Sequence, residues 1–445
     1  MSALDHTDAL ERAQPAPSWA SLWALAVLTL VYIVAFIDRQ LLNLLLIPIQ
    51  QFHHLSDTAM SLLIGVAFTA AYVVMGIPVG LWVDRGTRRN VVIAGAVAWC
   101  LGTASMAWAG SFAQLFLARL CVGGAEAAIF PGGSSLIAGY FRREHLPRAM
   151  SVFLLAPFIG GGLALIFGGL LSAAGAGSSS AWHSLPGLAP WQRVFAVIGV
   201  AGLLPILLLL TLREPPRTGS ATASADRLTP AESLRFFSRR WPFYARFYAG
   251  VGVGGILSYG VPAWAPTFLI REYAQTTRSV GVNYGIVTLI CGICGVLAGP
   301  WIGRLFARDG TNGGMMRAMA GILMLCVPAC IALPFIHSYV GAIALLGAIT
   351  FLYTAPISIA AAALQLATPD RVRGAAAAVY LIVVALIGAS CGPLLVSLIS
   401  QGAGVGLAVS LGVVCSAAAA VAATLFWSGH SSYLRLLREA DRVAG

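Results

Sequence analysis

Twelve stretches of this chain are apolar over roughly twenty residues or more, and nothing else in the sequence restricts the fold as much. They fall at about 19–46, 59–82, 91–109, 112–138, 150–173, 191–212, 245–270, 283–306, 315–336, 339–366, 374–400 and 404–427. About 20 apolar residues in a helix cross the ~30 Å hydrocarbon layer of a bilayer. The runs are continuous rather than alternating, so helices are expected and a β-barrel is not. The first run is too long, and followed by too many of its kind, to be a cleaved signal peptide. With 59% hydrophobic and 10% charged residues, the chain is not a soluble globular protein.

The runs divide six and six. Residues 1–18 are polar and read as a disordered cytoplasmic tail, 19–212 as a first six-helix half, 213–240 as a polar cytoplasmic linker, 241–428 as a second half and 429–445 as a basic cytoplasmic tail. In that last tail Arg435, Arg438 and Arg442 recur at helical spacing, which suits a helix lying on the membrane surface. Traces of duplication survive. Gly80-Leu-Trp-Val-Asp84-Arg85-Gly86-Thr-Arg88-Arg89 follows the second span, and Gly299-Pro-Trp-Ile-Gly303-Arg304-Leu-Phe-Ala-Arg308 follows the eighth. Arg148-Ala-Met-Ser-Val-Phe153 precedes the fifth, and Arg373-Gly-Ala-Ala-Ala-Ala-Val-Tyr380 precedes the eleventh. Two parallel six-helix halves with a substrate site between them at mid-membrane are the expected architecture.

Orientation comes from arginine. All 27 basic residues are arginines; three (Arg193, Arg271, Arg278) fall in the loops opposite the termini and two (Arg39, Arg119) within spans, leaving 22 on the side of the termini. That side is cytoplasmic by the positive-inside rule, which makes this a multi-pass protein of the cell (inner) membrane with both termini inside. The net charge of +11 is therefore topological and not a sign of nucleic-acid binding. Without lysine there is no Walker A site, so any transport must draw on a gradient. Cys291-Gly-Ile-Cys294 sits in an apolar helix with no histidine or acid nearby and reads as small packing residues. The seven histidines lie in tails or loops, so no metal site, cofactor or membrane-embedded enzyme is expected and proton chemistry falls to carboxylates.

Four charges lie in the interiors of the apolar spans. Arg119 and Glu126 stand seven residues apart in the fourth, two helical turns or about 10 Å along one face; Asp38 and Arg39 lie in the first, in Phe36-Ile-Asp-Arg-Gln40. An ionised group at bilayer depth costs about 2.5–3.5 kcal/mol or more on insertion scales, so each needs a partner or a water-filled cavity. A structural ion pair that locks helix packing is one reading; a polar site lining a path through the membrane is the other. Two acids and two bases cancel, and protonating either acid leaves a positive charge that can hold an anion. The second half has no charge in its span interiors, so any proton coupling belongs to the first. Tyr259 and Trp264 in span seven, with Tyr353 and Gln365 in span ten, are candidate substrate contacts from the second half. In the loop Gly80–Arg89, Asp84 can accept from an arginine or a helix N-terminus across the halves, with Arg85, Arg88 and Arg89 beside it, forming a gate that holds in one access state and breaks in the other.

On these residues the chain resembles the major facilitator superfamily over essentially all of 19–428. Gly80–Arg89 matches that family's signature between helices two and three, and Arg119-x-x-x-Gly123 its helix-four signature. Phe36-Ile-Asp-Arg-Gln-Leu-Leu, Leu55-Ser-Asp-Thr, Gly76-Ile-Pro-Val-Gly80, Gly124-Ala-Glu-Ala and Ala363-Leu-Gln-Leu-Ala-Thr-Pro-Asp-Arg-Val-Arg-Gly374 are similar to the spinster-like branch. Asp38-Arg39 and Arg119…Glu126…Pro131-Gly132 are shared with the anion–cation symporters. The resemblance implies alternating access by rocking of the halves, proton-linked roles for Asp38 and Glu126 with Arg119 as their partner, and Arg39 as an anion contact. It implies a small organic, anionic substrate, or a lysolipid or other amphipath in the spinster manner, moved with protons by a monomer in the lipid bilayer. One departure is Gly303, where the family's acid would stand, which leaves Asp84 to carry the gate alone.

Overall fold

A computed structural model describes residues 18–142, 144–176, 187–215, 230–306 and 312–444. Most of the amino-terminal tail, the middle of the linker and Arg308 lie outside the described residues. Twelve helices among the described residues are long and apolar enough to cross a membrane. They are α1 (Trp19–Leu44), α2 (Asp57–Arg85), α3 (Arg88–Trp108), α4 (Phe112–Tyr140), α5 (Leu146–Ser172), α6 (Pro190–Leu210), α7 (Trp241–Glu272), α8 (Thr277–Leu305), α9 (Met315–Phe335), α10 (Tyr339–Ala367), α11 (Arg371–Gly402) and α12 (Leu407–Glu439). Five start on a Ser or Thr whose side chain accepts the N–H three residues on: Ser18, Ser56, Ser111, Thr276 and Ser338. Such caps satisfy one of the four donors a helix leaves free, and so set where each helix begins.

Both ends of the described chain, and the start of the linker, lie at one face of the bundle, called here the terminal face; the opposite one is the distal face. At the distal end and at mid-depth the two halves touch closely. A methyl group on Gly169 of α5 would sit 3.0 Å from the Cα of Gly281 of α8, so only glycine allows these backbones to meet. On the other side of the interface α2 crosses α11, where both helices widen into π-helical turns, Leu62–Ala67 and Val384–Cys391. Gly65 lies against the carbonyl of Ala389 there, and Ser61 donates to Pro393 O at 2.9 Å. Toward the terminal face the same two helices part. A side chain added at Gly76, Gly80 or Gly374 would meet nothing within 4 Å, and Ile77 is 67% exposed.

Two expectations for the second half change. The basic tail continues the last span as one helix, Leu407–Ala444, which also takes His430 out of a loop. The cause is packing: Tyr433 is fully buried and stacks on Phe243 at 5.5 Å, so the extension is held by α7 instead of lying on the membrane. Within the linker, Pro230–Arg239 is a further helix, with Phe237 against Tyr244 at 4.9 Å.

Candidate functional site

The charged residues of α1 and α4 meet inside the amino-terminal half. Asp38 and Arg119 are completely buried, Glu126 is 3% exposed, and the Arg39 side chain is 16% exposed. Glu126 accepts from Arg39 Nη2 at 2.7 Å. That differs from the expected pairing of Glu126 with Arg119. Seven residues along one helix put those two groups about 10 Å apart, too far for contact, whereas Arg39 arrives from α1 at the depth of Glu126. The arginine fork is held from the other side by aromatic faces. Its guanidinium carbon lies 4.1 Å from the ring centre of Phe68, 4.5 Å from Phe36 and 5.7 Å from Tyr72, so ring quadrupoles replace part of its lost hydration.

Pro131, having no N–H, cannot bond the carbonyl of Ala127, and α4 breaks between Glu126 and Ile129. The acid thus sits at the end of a helical segment. Around it several buried polar atoms have no hydrogen-bond partner: both oxygens of Asp38, all three guanidinium nitrogens of Arg119, Oε1 of Glu126 and the hydroxyls of Thr69 and Thr103. Burying that many unpaired polar atoms is costly unless a mobile guest engages them. Asp38 and Arg119 are nevertheless close enough to feel one another's charge strongly.

The candidates from the second half separate. Tyr259 on α7 lies across the interface from Arg39, within reach of its field. Tyr353 is 6% exposed and groups with Tyr284 and Thr350 in the other half. Trp264 is fully buried with its indole N–H donated to Pro393 O at 2.9 Å, so it fastens α7 to α11 and has no donor left for a solute. Gln365 is exposed near the end of α10, twelve residues or roughly 18 Å along the helix from Tyr353, and is not brought to the cluster.

The gate residues also divide. Asp84 and Arg85 are exposed, and Gly80 faces open space. Arg88 is 5% exposed and turned into its own half, donating to Glu214 at 2.7 Å, Pro215 O at 2.5 Å and Ser135 O at 3.1 Å. Arg89 donates to Leu212 O at 2.8 Å, and its backbone N–H to Glu214 at 3.0 Å. These two arginines tie the loop to the end of α6 and do not reach across the halves. A charged pair does cross between the halves at the distal end. Arg271 of α7 forks onto Asp57 of α2 at 2.9 and 3.0 Å, and Gln50 bonds both at 2.7 Å.

The sequence model of the Major Facilitator Superfamily matches residues 28–393. The chain belongs to that superfamily. It is a spinster-like transporter of the family by its relatives. It is 27% identical to an MFS-type efflux pump of Mycolicibacterium smegmatis over 99% of both chains, and 26% identical to human protein spinster homolog 1 over 84% of this chain and 72% of that one. In fold it matches the crystal structure of a bacterial homologue of the human lysosomal transporter spinster, in an inward-facing and unoccupied conformation. The TM-score is 0.76 at 22% identity, with 95% of this chain and 98% of that chain covered.

Several residues of this major facilitator site escape a reading of the sequence. Phe36 was readable as a neighbour of Arg39, three positions away on one helix face. Phe68 and Tyr72, four apart and stacked at 5.7 Å, carried only the signal of an aromatic pair in a span. Thr103, and the Asp57–Arg271 pair, carried none.

Proposed function

We propose that the protein is a secondary active transporter that carries a small organic anion across the inner membrane by alternating access, coupled to protons. The observation that carries the reading is the buried quartet of Asp38, Arg39, Arg119 and Glu126, neutral in sum, with the guanidinium nitrogens of Arg119 making no hydrogen bond. In this reading a proton taken by Asp38 or Glu126 releases an arginine from its counter-charge. The freed guanidinium then holds the carboxylate or phosphate of the solute, and proton and solute are bound together or not at all. Tyr259 closes over the solute from the second half. The terminal face is cytoplasmic, the state described opens to the cytoplasm, and one chain suffices because the site lies within it.

A second reading, transport of a lysolipid or similar amphipath, is favoured by one feature. An apolar groove of about 600 Å³ opens between α2 and α4, lined by Ala70, Val74, Met75, Leu120 and Cys121 and by Ala125 next to Glu126. It offers room for an acyl chain beside the charges.

The test uses purified protein in liposomes enclosing a pH-sensitive dye, with a panel of sugar acids, aromatic acids and lysolipids. Solute-driven proton movement is expected for one class, abolished in Glu126→Gln and Asp38→Asn while both proteins remain inserted. Wild-type rates in both variants would sink the coupling. Tight binding of a lysolipid without proton movement would favour the second reading.

A further inference from the structure

Orphaned polar atoms are not confined to the charged half. Among the described residues of the second half, three buried side-chain polar atoms have no hydrogen-bond partner: the hydroxyls of Tyr284 and Thr288, and Nδ1 of His430. His430 lies near the terminal end of α12. The two hydroxyls stand together, one turn apart on α8, and Tyr284 is completely buried. In the same half Thr350, Thr354 and Thr424 each donate to the carbonyl one turn back at 2.8 Å, a refuge that Thr288 does not take.

The contacts of α8 fix where these hydroxyls lie. Toward α5 the helix presents Gly285, where a methyl group would meet Gly162 O at 3.0 Å. Toward α10 it presents Cys291, whose Sγ lies 3.2 Å from where a methyl on Gly347 would stand. Thr288 is three residues from each, about 60° around the helix from either contact, so it points into the wedge between α5 and α10. Ile290, about 200° away, is 55% exposed and marks the lipid side. One turn nearer the terminal face, a methyl on Gly292 would lie 3.4 Å from Phe158 of α5 and 4.0 Å from Thr350 of α10, the two walls of that wedge. Thr288 and Thr350 stand near the phenol of Tyr284, yet its hydroxyl closes no hydrogen bond with either. The depth follows from α5. Gly160 and Gly161 pack on Phe36 and Gln40 of α1, and Gly162 packs on Gly285 and Leu289 of α8. The two hydroxyls are therefore level with Arg39, on the opposite side of the interface.

We infer that Tyr284 and Thr288 form a neutral subsite in the second half, which takes a hydroxyl or carbonyl oxygen of the solute whose anionic group the quartet holds. Each hydroxyl can donate to such an oxygen, and each can accept from a hydroxyl. From Tyr284 to Gly299 α8 carries no charge, so it offers an anion nothing that the arginines do not offer better. A solute that burying leaves apolar against these two groups keeps them unpaired, whereas one that bonds them removes that cost, and the difference is selectivity. The inference rests on the anion-carrying reading above and names the other end of the same solute.

Solutes that differ by hydroxyl groups alone test this, through calorimetric binding to the purified protein: gluconate against hexanoate, and mandelate against phenylacetate. The wild type is expected to bind the hydroxylated member of at least one pair about tenfold more tightly, the size of one neutral hydrogen bond. Tyr284→Phe is expected to bring that ratio within about twofold, Thr288→Val to lower it severalfold and Thr288→Ser to restore it, with affinity for the plain acid unchanged. Because the hydroxyl is unpaired in the empty protein, Tyr284→Phe is expected not to lower the melting temperature without solute. A lowered melting temperature would give the hydroxyl a structural bond and overturn the subsite. Equal binding of both members by the wild type, failure of all four acids to bind, or an unchanged ratio in Tyr284→Phe would overturn it too. Arg119→Gln keeps the two ideas apart, since it is expected to weaken both members of a pair alike. Unchanged affinity in that variant overturns the anion site of the quartet; weakened binding there, with an unchanged ratio in Tyr284→Phe, overturns the subsite alone.

Discussion

At the distal end of the interface, an ion pair with a shared glutamine and two closely packed helix crossings hold the halves together. At the terminal end, Arg88 and Arg89 of the gate loop are spent inside one half, on Glu214, on Ser135 O of α4 and on the carbonyls of Leu212 and Pro215 just beyond α6. The same two helices, α2 and α11, contribute to both ends. They touch where their π-helical turns and small residues coincide, and diverge beyond Gly76 and Gly374. The difference teaches where the closing energy of this state resides. The distal side combines backbone-level contact with a bidentate charged pair, so motion of the halves must undo that side.

The strongest way to break the contrast is to wedge the distal side apart. Gly281→Leu drives a side chain into Leu165 and Gly169 of the other half. It is expected to remove transport, at least about a hundredfold, and to lengthen distances between spin labels on the distal ends of α2 and α8. Unchanged distances would show that α5 and α8 are not the contact that holds this end. Next comes the charged pair. Arg271→Glu sets two carboxylates against one another and is expected to shift the distal end toward its open form about tenfold. The swapped pair, Asp57→Arg with Arg271→Asp, should return most of the population, and its failure would mean that the salt bridge is incidental to closure.

The contrast is sharpened at the other end. Asp84 is exposed in this state, so Asp84→Asn is expected to leave solute affinity within about twofold while slowing interconversion of the two access states severalfold. A pure loss of affinity in binding measurements would contradict a gating role. Glu214→Gln, which weakens the anchor of Arg88, should cost about 1 kcal/mol of stability in a thermal melt. Gln365→Ala, exposed and distant from the charges, should change uptake by less than about twofold; a larger fall would return Gln365 to the substrate path.

Much of the molecule is legible without coordinates. The sequence reading places the first span at 19–46 and the tenth at 339–366, and the helices run Trp19–Leu44 and Tyr339–Ala367. Hydrophobic thickness imposes that length on every span, so local composition is enough. The charged positions Asp38, Arg39, Arg119 and Glu126 are equally legible, because a charge inside an apolar run stands out on its own. Their pairing is not. The partner of Glu126 depends on the depth at which α1 crosses α4 and on how each helix is rotated, and neither quantity leaves a mark in either segment alone. Trp264 and Tyr259, five residues apart on one helix, read alike as aromatic candidates, yet one is used up on Pro393 O while the other faces Arg39.

What the sequence determined by itself is therefore one-dimensional: twelve spans, their division into halves, the asymmetry that puts charges in the span interiors of one half and not the other, and the side on which arginine accumulates. The tertiary structure decided everything that depends on two helices at once. It set Arg39 against Glu126, turned Arg88 back into its own half and closed the distal end through Asp57 and Arg271. The bilayer acts on each segment separately, through the cost of burying its backbone and side chains, so insertion is encoded locally. Contact between helices has no such local cost to read. It is settled by the fit of small residues and by the depth at which unlike charges meet.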